Sequence, residues 1–465
     1  MRRYFCPLVL LFAAVTLLAS CLSSDNEDIV YSDDVAITTF SIKSAEMTVY
    51  TTSSTGEDST YVTSNTSLSS YKFVIDHAKG EVYNVDSLPY NIDASKILVS
   101  CTTKNNGIAA LRSIEKPDSM VYLTADTVDF TQPRTVAVFS ASGTYSRDYT
   151  VKVNVHKQNG DVINWHQVTT NSDLASLTNM RGFQLGDLLY VLGVKDGQTM
   201  VYGSIRDDNH RNWDLLATLS ENASLNAVVR NDSLFVLDGT DLKVSVDGVN
   251  YKNVAVQAPI TRLVAQSSMA LYGIGDSDNM LMSEDAGKTW VADEVDFGTV
   301  IPTRDITYTV VDYPNVPNAE CVIVTGNRDA EAYPQDTTAV VLTKIVEKTA
   351  GARKNAWSGV VGNSWDANLL PRMNNLTIFP YDDAAYVLGG NGIGDCDVTA
   401  FSAFYRSVDC GFSWRKSVDM KLPDGFESSP ASFAVFVDSD KNVWIVCGAS
   451  GAVWRGRLNR VGWSD

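Results

Sequence analysis

From residue 35 to residue 156 apolar and polar positions alternate, and no stretch sustains a helical period. Tyr149-Thr-Val151-Lys-Val153-Asn-Val155 shows the alternation most cleanly, with every second residue apolar, as in a strand that has one face in a core and the other in water. Further strands are expected at 37–42, 71–75, 96–101, 120–124 and 135–139, separated by turn-forming stretches. This number of short strands predicts one antiparallel β-sandwich over 35–156. The Thr- and Ser-rich stretch 48–70 predicts an exposed hairpin with a long polar tip.

After a short polar hinge at 157–162 the pattern changes from alternation to repetition. Leu188-Leu-Tyr-Val-Leu-Gly193, Ser233-Leu-Phe-Val-Leu-Asp238, Ala270-Leu-Tyr-Gly-Ile-Gly275, Cys321-Val-Ile-Val-Thr-Gly326, Ala385-Tyr-Val-Leu-Gly389 and Asn442-Val-Trp-Ile-Val-Cys447 read as one strand met six times. Each copy lies downstream of another apolar strand and upstream of an aromatic: Trp213, Tyr251, Trp290, Trp357, Trp414 or Trp463. Repeated all-β units of this kind predict a β-propeller over 163–465. Six blades are expected, or seven if the long unit 314–357 conceals a degenerate one. Trp463 is followed by two residues only, so the last unit lacks a fourth strand, and Trp165-His-Gln-Val-Thr169 is expected to supply it. A hybrid blade of that kind leaves no open edge between first and last blades.

Two of the units carry the same octapeptide pattern, Ser283-x-Asp285-x-Gly287-x-x-Trp290 and Ser407-x-Asp409-x-Gly411-x-x-Trp414. The Gly-Lys-Thr inside the first is no phosphate loop, because the glycine that such a loop requires five residues earlier is Met282. Ser and Asp side chains accept from backbone N–H groups a few residues on, Gly permits a left-handed turn, and Trp can cover the loop. The pattern therefore predicts a stapled hairpin. Ser245-Val-Asp247-Gly248 and Ser204 to Trp213 are degenerate versions.

The pattern resembles the Asp-box (BNR repeat) of sialidases and related secreted proteins, where it is structural and lies away from the ligand face. As a whole the chain resembles two-domain bacterial lipoproteins that carry an Ig-like or cadherin-like N-terminal module before such a propeller. In sialidase-like propellers, arginines at the entrances of inner strands converge and grip a carboxylate bidentately. Arg181, Arg262 and Arg304 lie at comparable places, with Arg372 slightly further upstream of its strand. The resemblance thus implies a ligand site made of these four. Arg181-Gly-Phe stands where the family has Arg-Ile-Pro, and no acidic residue or nucleophilic tyrosine with a glutamate partner is identifiable.

The N-terminus predicts export. Arg2 and Arg3 precede an apolar run at 7–18 and then Leu18-Ala-Ser-Cys21, a lipoprotein signal peptide over 1–20 with Cys21 as the lipidated first residue. The run is short for a bilayer span. The polar, acidic stretch 21–34 reads as a tether, and its Asp25, Glu27 and Asp28 resemble a signal for display on the outer face of the outer membrane, the alternative being its periplasmic face.

Composition narrows the chemistry. A net charge of -18 without any basic run argues against nucleic acid as a partner, leaving the membrane contact to the lipid on Cys21. Four histidines without ligand spacing make a zinc site improbable, and no Gly-x-Ser-x-Gly or Gly-x-Gly-x-x-Gly motif is present. The acidic clusters at Asp276/Asp278 and Asp395/Asp397 read as solvated turns, so no metal or cofactor and no catalytic residue is expected. Cys101, Cys321, Cys396, Cys410 and Cys447 remain after the leader, and Cys396 with Cys410 is the pairing nearest in sequence. The expectation is a noncatalytic propeller that binds a glycan or glycoprotein. A sialidase-like hydrolase or lyase and a scaffold in an envelope assembly are the alternatives.

Overall fold

The computed structural model describes residues 31–52, 58–116, 118–205, 209–257, 259–360 and 368–462. Cys21, the leader, most of the tether and Trp463 lie outside them. The chain divides between Asn159 and Gly160 into two compact units.

In the N-terminal unit, Ile37–Thr52 pairs antiparallel with both Asp58–Asn65 and Ile92–Thr103 to make a three-stranded sheet. A second sheet has six strands, from Phe73–Asp76 at one edge to Met120–Tyr122 at the other. Alternation does what it predicts: Ile37, Phe40 and Ile42 from the first sheet and Val136, Val138, Tyr149 and Val151 from the second meet in one core. One pairing departs from the antiparallel expectation. Ser146–Lys152 is antiparallel to Arg134–Phe139 on one side but parallel to Glu81–Asn84 on the other. Periodicity fixes which face is buried and says nothing of direction.

The second unit consists of six four-stranded antiparallel sheets. Blade 1 begins with Thr178–Leu185, blade 2 with Ala227–Arg230, blade 3 with Arg262–Gln266, blade 4 with Arg304–Asp312, blade 5 with Thr377–Tyr381 and blade 6 with Phe433–Val437. These are the inner strands. Blade 6 takes its fourth strand from the start of the unit, Ile163–Thr170, which pairs with Ala452–Leu458 and closes the ring. Trp165 secures this closure by lying over Gly456, where a Cβ would come within 2.4 Å of the indole, and by donating Nε1–H to the Lys421 carbonyl at 2.6 Å.

The repeated apolar run is the second strand of every blade, and the packing explains its composition. Ala319–Asn327, Ala384–Leu388 and Val443–Cys447 are buried at every residue because each sheet is covered on both faces by its neighbours. The six seams hold six separate apolar clusters, one between each pair of adjacent blades. Outermost strands such as Val291–Ala292 and Arg415–Lys416 are only two residues long and exposed, which blunts them as edges.

Candidate functional site

The two octapeptide turns are near copies. Each joins the third and fourth strands of its blade, in blade 3 after Met280–Ser283 and in blade 5 after Tyr405–Ser407. Ser283 Oγ accepts from the Gly287 N–H at 2.8 Å and donates to Asp285, whose carboxylate accepts from the Thr289 N–H at 2.9 Å and its hydroxyl at 2.7 Å. In blade 5 the same bonds run from Ser407, Asp409, Gly411 and Ser413 at 2.9, 2.9 and 2.5 Å. Trp290 and Trp414 each donate their indole N–H to the carbonyl of their own glycine, at 2.9 and 3.0 Å. Gly287 and Gly411 adopt φ of +87° and +86°, a conformation in which a side chain is strained. These Ser, Asp and Trp side-chain bonds are internal to the turn. Ser245 and Asp247 in blade 2 keep the core of the arrangement despite the lost residue.

The donors hold the Asp285 carboxyl at about 2, chiefly through the backbone and side chain of Thr289. For Asp409 burial pushes upward, and the Ser413 bonds outweigh it, leaving the pKa below the usual carboxylate range.

A cavity of about 820 Å³ runs along the axis of the ring, with Arg181, Val229, Gln266, Tyr308, Phe379 and Val435 lining it from the six inner strands in turn. Arg181 is the arginine inside it. Its guanidinium donates to the Ile306 carbonyl of blade 4, on the opposite side of the ring, while Nε is buried without a partner. Burial pushes its pKa down, with the Tyr308 phenol opposing. Among the described residues no carboxylate pairs with Arg181. Of the acids along the channel, Asp312 and Glu320 pair with Lys348, Asp382 pairs with Arg460, Asp305 accepts from Asn327, and Asp438 accepts from Asn442 and Trp444, while Asp232 and Asp383 line it as well. Tyr308 is pushed up to about 12 by burial, against the pull of Arg181 and of hydrogen bonds from the Val229 backbone and the Gln266 side chain.

The other three arginines do not join it, which corrects the expectation of a four-arginine cluster. Arg262 donates to the Thr303 carbonyl at 2.8 Å. Arg304 is largely exposed and pairs with Asp329 at 3.4 Å. Arg372 has no exposed surface and donates to the carbonyls of Arg328, Tyr333 and Asp336, so that it clamps the loop after the second strand of blade 4. The physical reason is position: Arg262 and Arg304 are the first residues of their inner strands and Arg372 lies five residues before its own, where the nearest acceptors belong to the adjoining loops.

Sequence reading missed Tyr308, which shares a strand face with Ile306 and Val310 like any strand tyrosine. It also missed a buried pair between blades 3 and 4, Lys344 Nζ to Asp293 Oδ1 at 2.8 Å, with Trp357 Nε1 donating to the other carboxylate oxygen at 2.8 Å. The pairing of Cys396 with Cys410 is not formed, because Cys410 faces Cys321 instead. Among the described residues no cluster of three His, Cys, Asp or Glu could hold a metal.

Residues 159–465 match the family described as the DUF6242 beta propeller domain. The chain belongs to the DUF6242 family. Residues 40–153 match the accompanying DUF6242 N-terminal domain, a domain of unknown function. No curated protein matches this DUF6242 chain. Solved structures similar to it include YCF48 bound to a D1 peptide, at 14% identity and a TM-score of 0.34, covering 63% of this chain and 95% of that one. The N-terminal domain of Nup159 matches at 11% and 0.31, covering 64% and 96%. The carbohydrate-active enzyme of family AA12 from Trichoderma reesei matches at 10% and 0.36, covering 64% and 96%.

Proposed function

We propose that the chain is a cell-envelope lipoprotein, anchored through Cys21, whose propeller on an Ig-like stalk is a noncatalytic binding module for a glycan or glycoprotein bearing a carboxylate. The observation that carries this reading is Arg181: a guanidinium inside the channel with, among the described residues, a single carbonyl acceptor and no carboxylate. Such a group gains from a carboxylate that accepts from its free N–H groups in fork geometry, and the gain grows where water is displaced. The site is therefore narrower than four convergent arginines, with one arginine in the channel and the aromatic side chains of Phe183 and Tyr308 along it.

The hydrolase alternative is disfavoured by Tyr308. A tyrosine nucleophile requires a lowered pKa and an adjacent base. Tyr308 moves the other way, to about 12, and the groups acting on it are an arginine, an amide and a backbone N–H. The Ser-x-Asp turns support an Asp-box reading and a structural role, since their bonds close on themselves.

The test is a glycan array probed with the mature chain and with Arg181→Met. The reading expects signal on uronate- or sialate-bearing glycans that the variant loses. Equal signal on neutral glycans, or a variant that binds like the parent, contradicts it.

A further inference from the structure

The seam between blades 4 and 5 brings two thiols together. Cys321 lies in Ala319–Asn327 with no exposed surface, its Sγ 2.9 Å from Thr343 Oγ1 and 4.0 Å from the carbonyl oxygen of Cys410, a residue 89 positions further along the chain. Cys410 belongs to the Ser407–Trp414 turn of blade 5 and is 3% exposed. The next residue, Gly411, presses on the same strand: a Cβ there would lie 3.1 Å from an Ile323 methyl and 3.0 Å from a Val341 methyl. Both cysteines belong to the apolar cluster of this seam. The interaction of the two side chains holds Cys410 below its usual pKa and, together with burial, pushes Cys321 up.

The turn itself does not need this thiol. In the equivalent turn of blade 3 the same position is Ala286, with a φ of 60° against 61° for Cys410. A cysteine that its own turn can replace by alanine, set against a second cysteine in the neighbouring blade, is a pair in its own right.

We propose that Cys321 and Cys410 are a redox dithiol whose oxidation joins blades 4 and 5 through a disulfide. The oxidant is a small disulfide compound such as glutathione disulfide. The Cys410 thiolate, the more readily formed of the two, attacks one sulfur of the oxidant and releases one thiolate. Cys321, deprotonated in turn, attacks Cys410 Sγ and displaces the second. Two electrons and two protons leave the protein, the Sγ–Sγ bond forms, and the oxidant ends as two thiols. Because the sulfurs are buried, exchange requires the seam to open or the ring to be still assembling. Closing a loop of this length removes much of the freedom of the unfolded chain, so the oxidised ring resists unfolding.

The experiment incubates the full mature chain with glutathione disulfide, in the native state and during refolding, followed by alkylation in denaturant, digestion and mass spectrometry. A peptide pair linked through Cys321 and Cys410 is expected, short of two hydrogens, with a melting temperature several degrees above that of the reduced chain. Cys410→Ala should remove both the link and the temperature difference while the reduced parent and the variant melt alike, and Cys396→Ala should leave the link in place. Recovery of Cys321 and Cys410 singly alkylated under both regimes, or a temperature difference that survives in Cys410→Ala, overturns the proposal.

Discussion

Arg181 of blade 1 hydrogen-bonds the carbonyl of Ile306 in blade 4, so a single side chain crosses the axis of the ring. The contact ties a charged group into a low-dielectric channel for one acceptor, and the burial that lowers its pKa is a cost to the folded state. Arg181→Met, similar in reach and without the charge, should therefore leave stability within about 1 kcal/mol of the parent in chemical denaturation. A loss above about 2 kcal/mol would make Arg181 a brace of the ring and remove the argument for a site.

The Ser-x-Asp turns predict a pH dependence. Asp285 has a folded pKa of about 2, set by the Thr289 donors, below the roughly 3.9 of an unfolded aspartate. A depressed carboxylate stabilises fully above the unfolded value and loses that contribution as pH falls toward the folded one. Melting temperature should therefore fall between about pH 4 and pH 2, and Asp285→Asn should flatten part of that slope while lowering the plateau at neutral pH. An unchanged slope in the variant would mean that the turn's bonds contribute little.

Trp290 and Trp414 close those turns from the apolar side, with 8% and 1% of their surface exposed. Truncation of either to alanine should cost about 3–5 kcal/mol in equilibrium unfolding. Ligand binding per folded molecule should be unchanged, since neither lines the axial cavity. A fall in affinity at constant melting temperature would place the turns in the site.

Lys344 and Asp293 form a buried pair, their side chains 3% and 4% exposed, with the Lys344 charge also 5.7 Å from the Trp357 ring. Removing one charge strands the other, so Lys344→Met should cost about 3–5 kcal/mol. The double change with Asp293→Leu should recover most of the loss, because two apolar side chains need no counter-charge. A double variant no better than the single would show the pair to be replaceable by nothing apolar.

The ring was more legible than the channel, for a physical reason. Second strands covered on both faces must be apolar throughout, so Cys321-Val-Ile-Val-Thr-Gly326 and its five counterparts announce themselves, and the missing last strand pointed to Trp165 through the need to close an edge. The octapeptide was equally open, because its bonds connect residues two to four apart. Everything that depended on contacts across the ring was hidden. Arg181 and Arg304 look alike in sequence, yet one crosses to Ile306 and the other pairs with Asp329 on the surface. Cys410 meets a cysteine 89 residues away and not the one 14 residues before it. The direction of the Ser146–Lys152 pairing with Glu81–Asn84 was hidden too, since alternation is the same in parallel and antiparallel neighbours.

The central claim, that the Arg181 guanidinium is a receptor for a ligand carboxylate, is tested most directly by calorimetric titration of the mature chain with a galacturonic acid trisaccharide and with the neutral galactose trisaccharide. A charge-assisted hydrogen-bonded contact is worth about 1.5–3 kcal/mol, so the acidic sugar should bind roughly 10- to 150-fold more tightly than the neutral one. That preference should vanish in Arg181→Met and persist in Arg262→Ala, whose guanidinium is held at the Thr303 carbonyl. Equal affinities for the two sugars, or a preference that survives in Arg181→Met, would contradict the account.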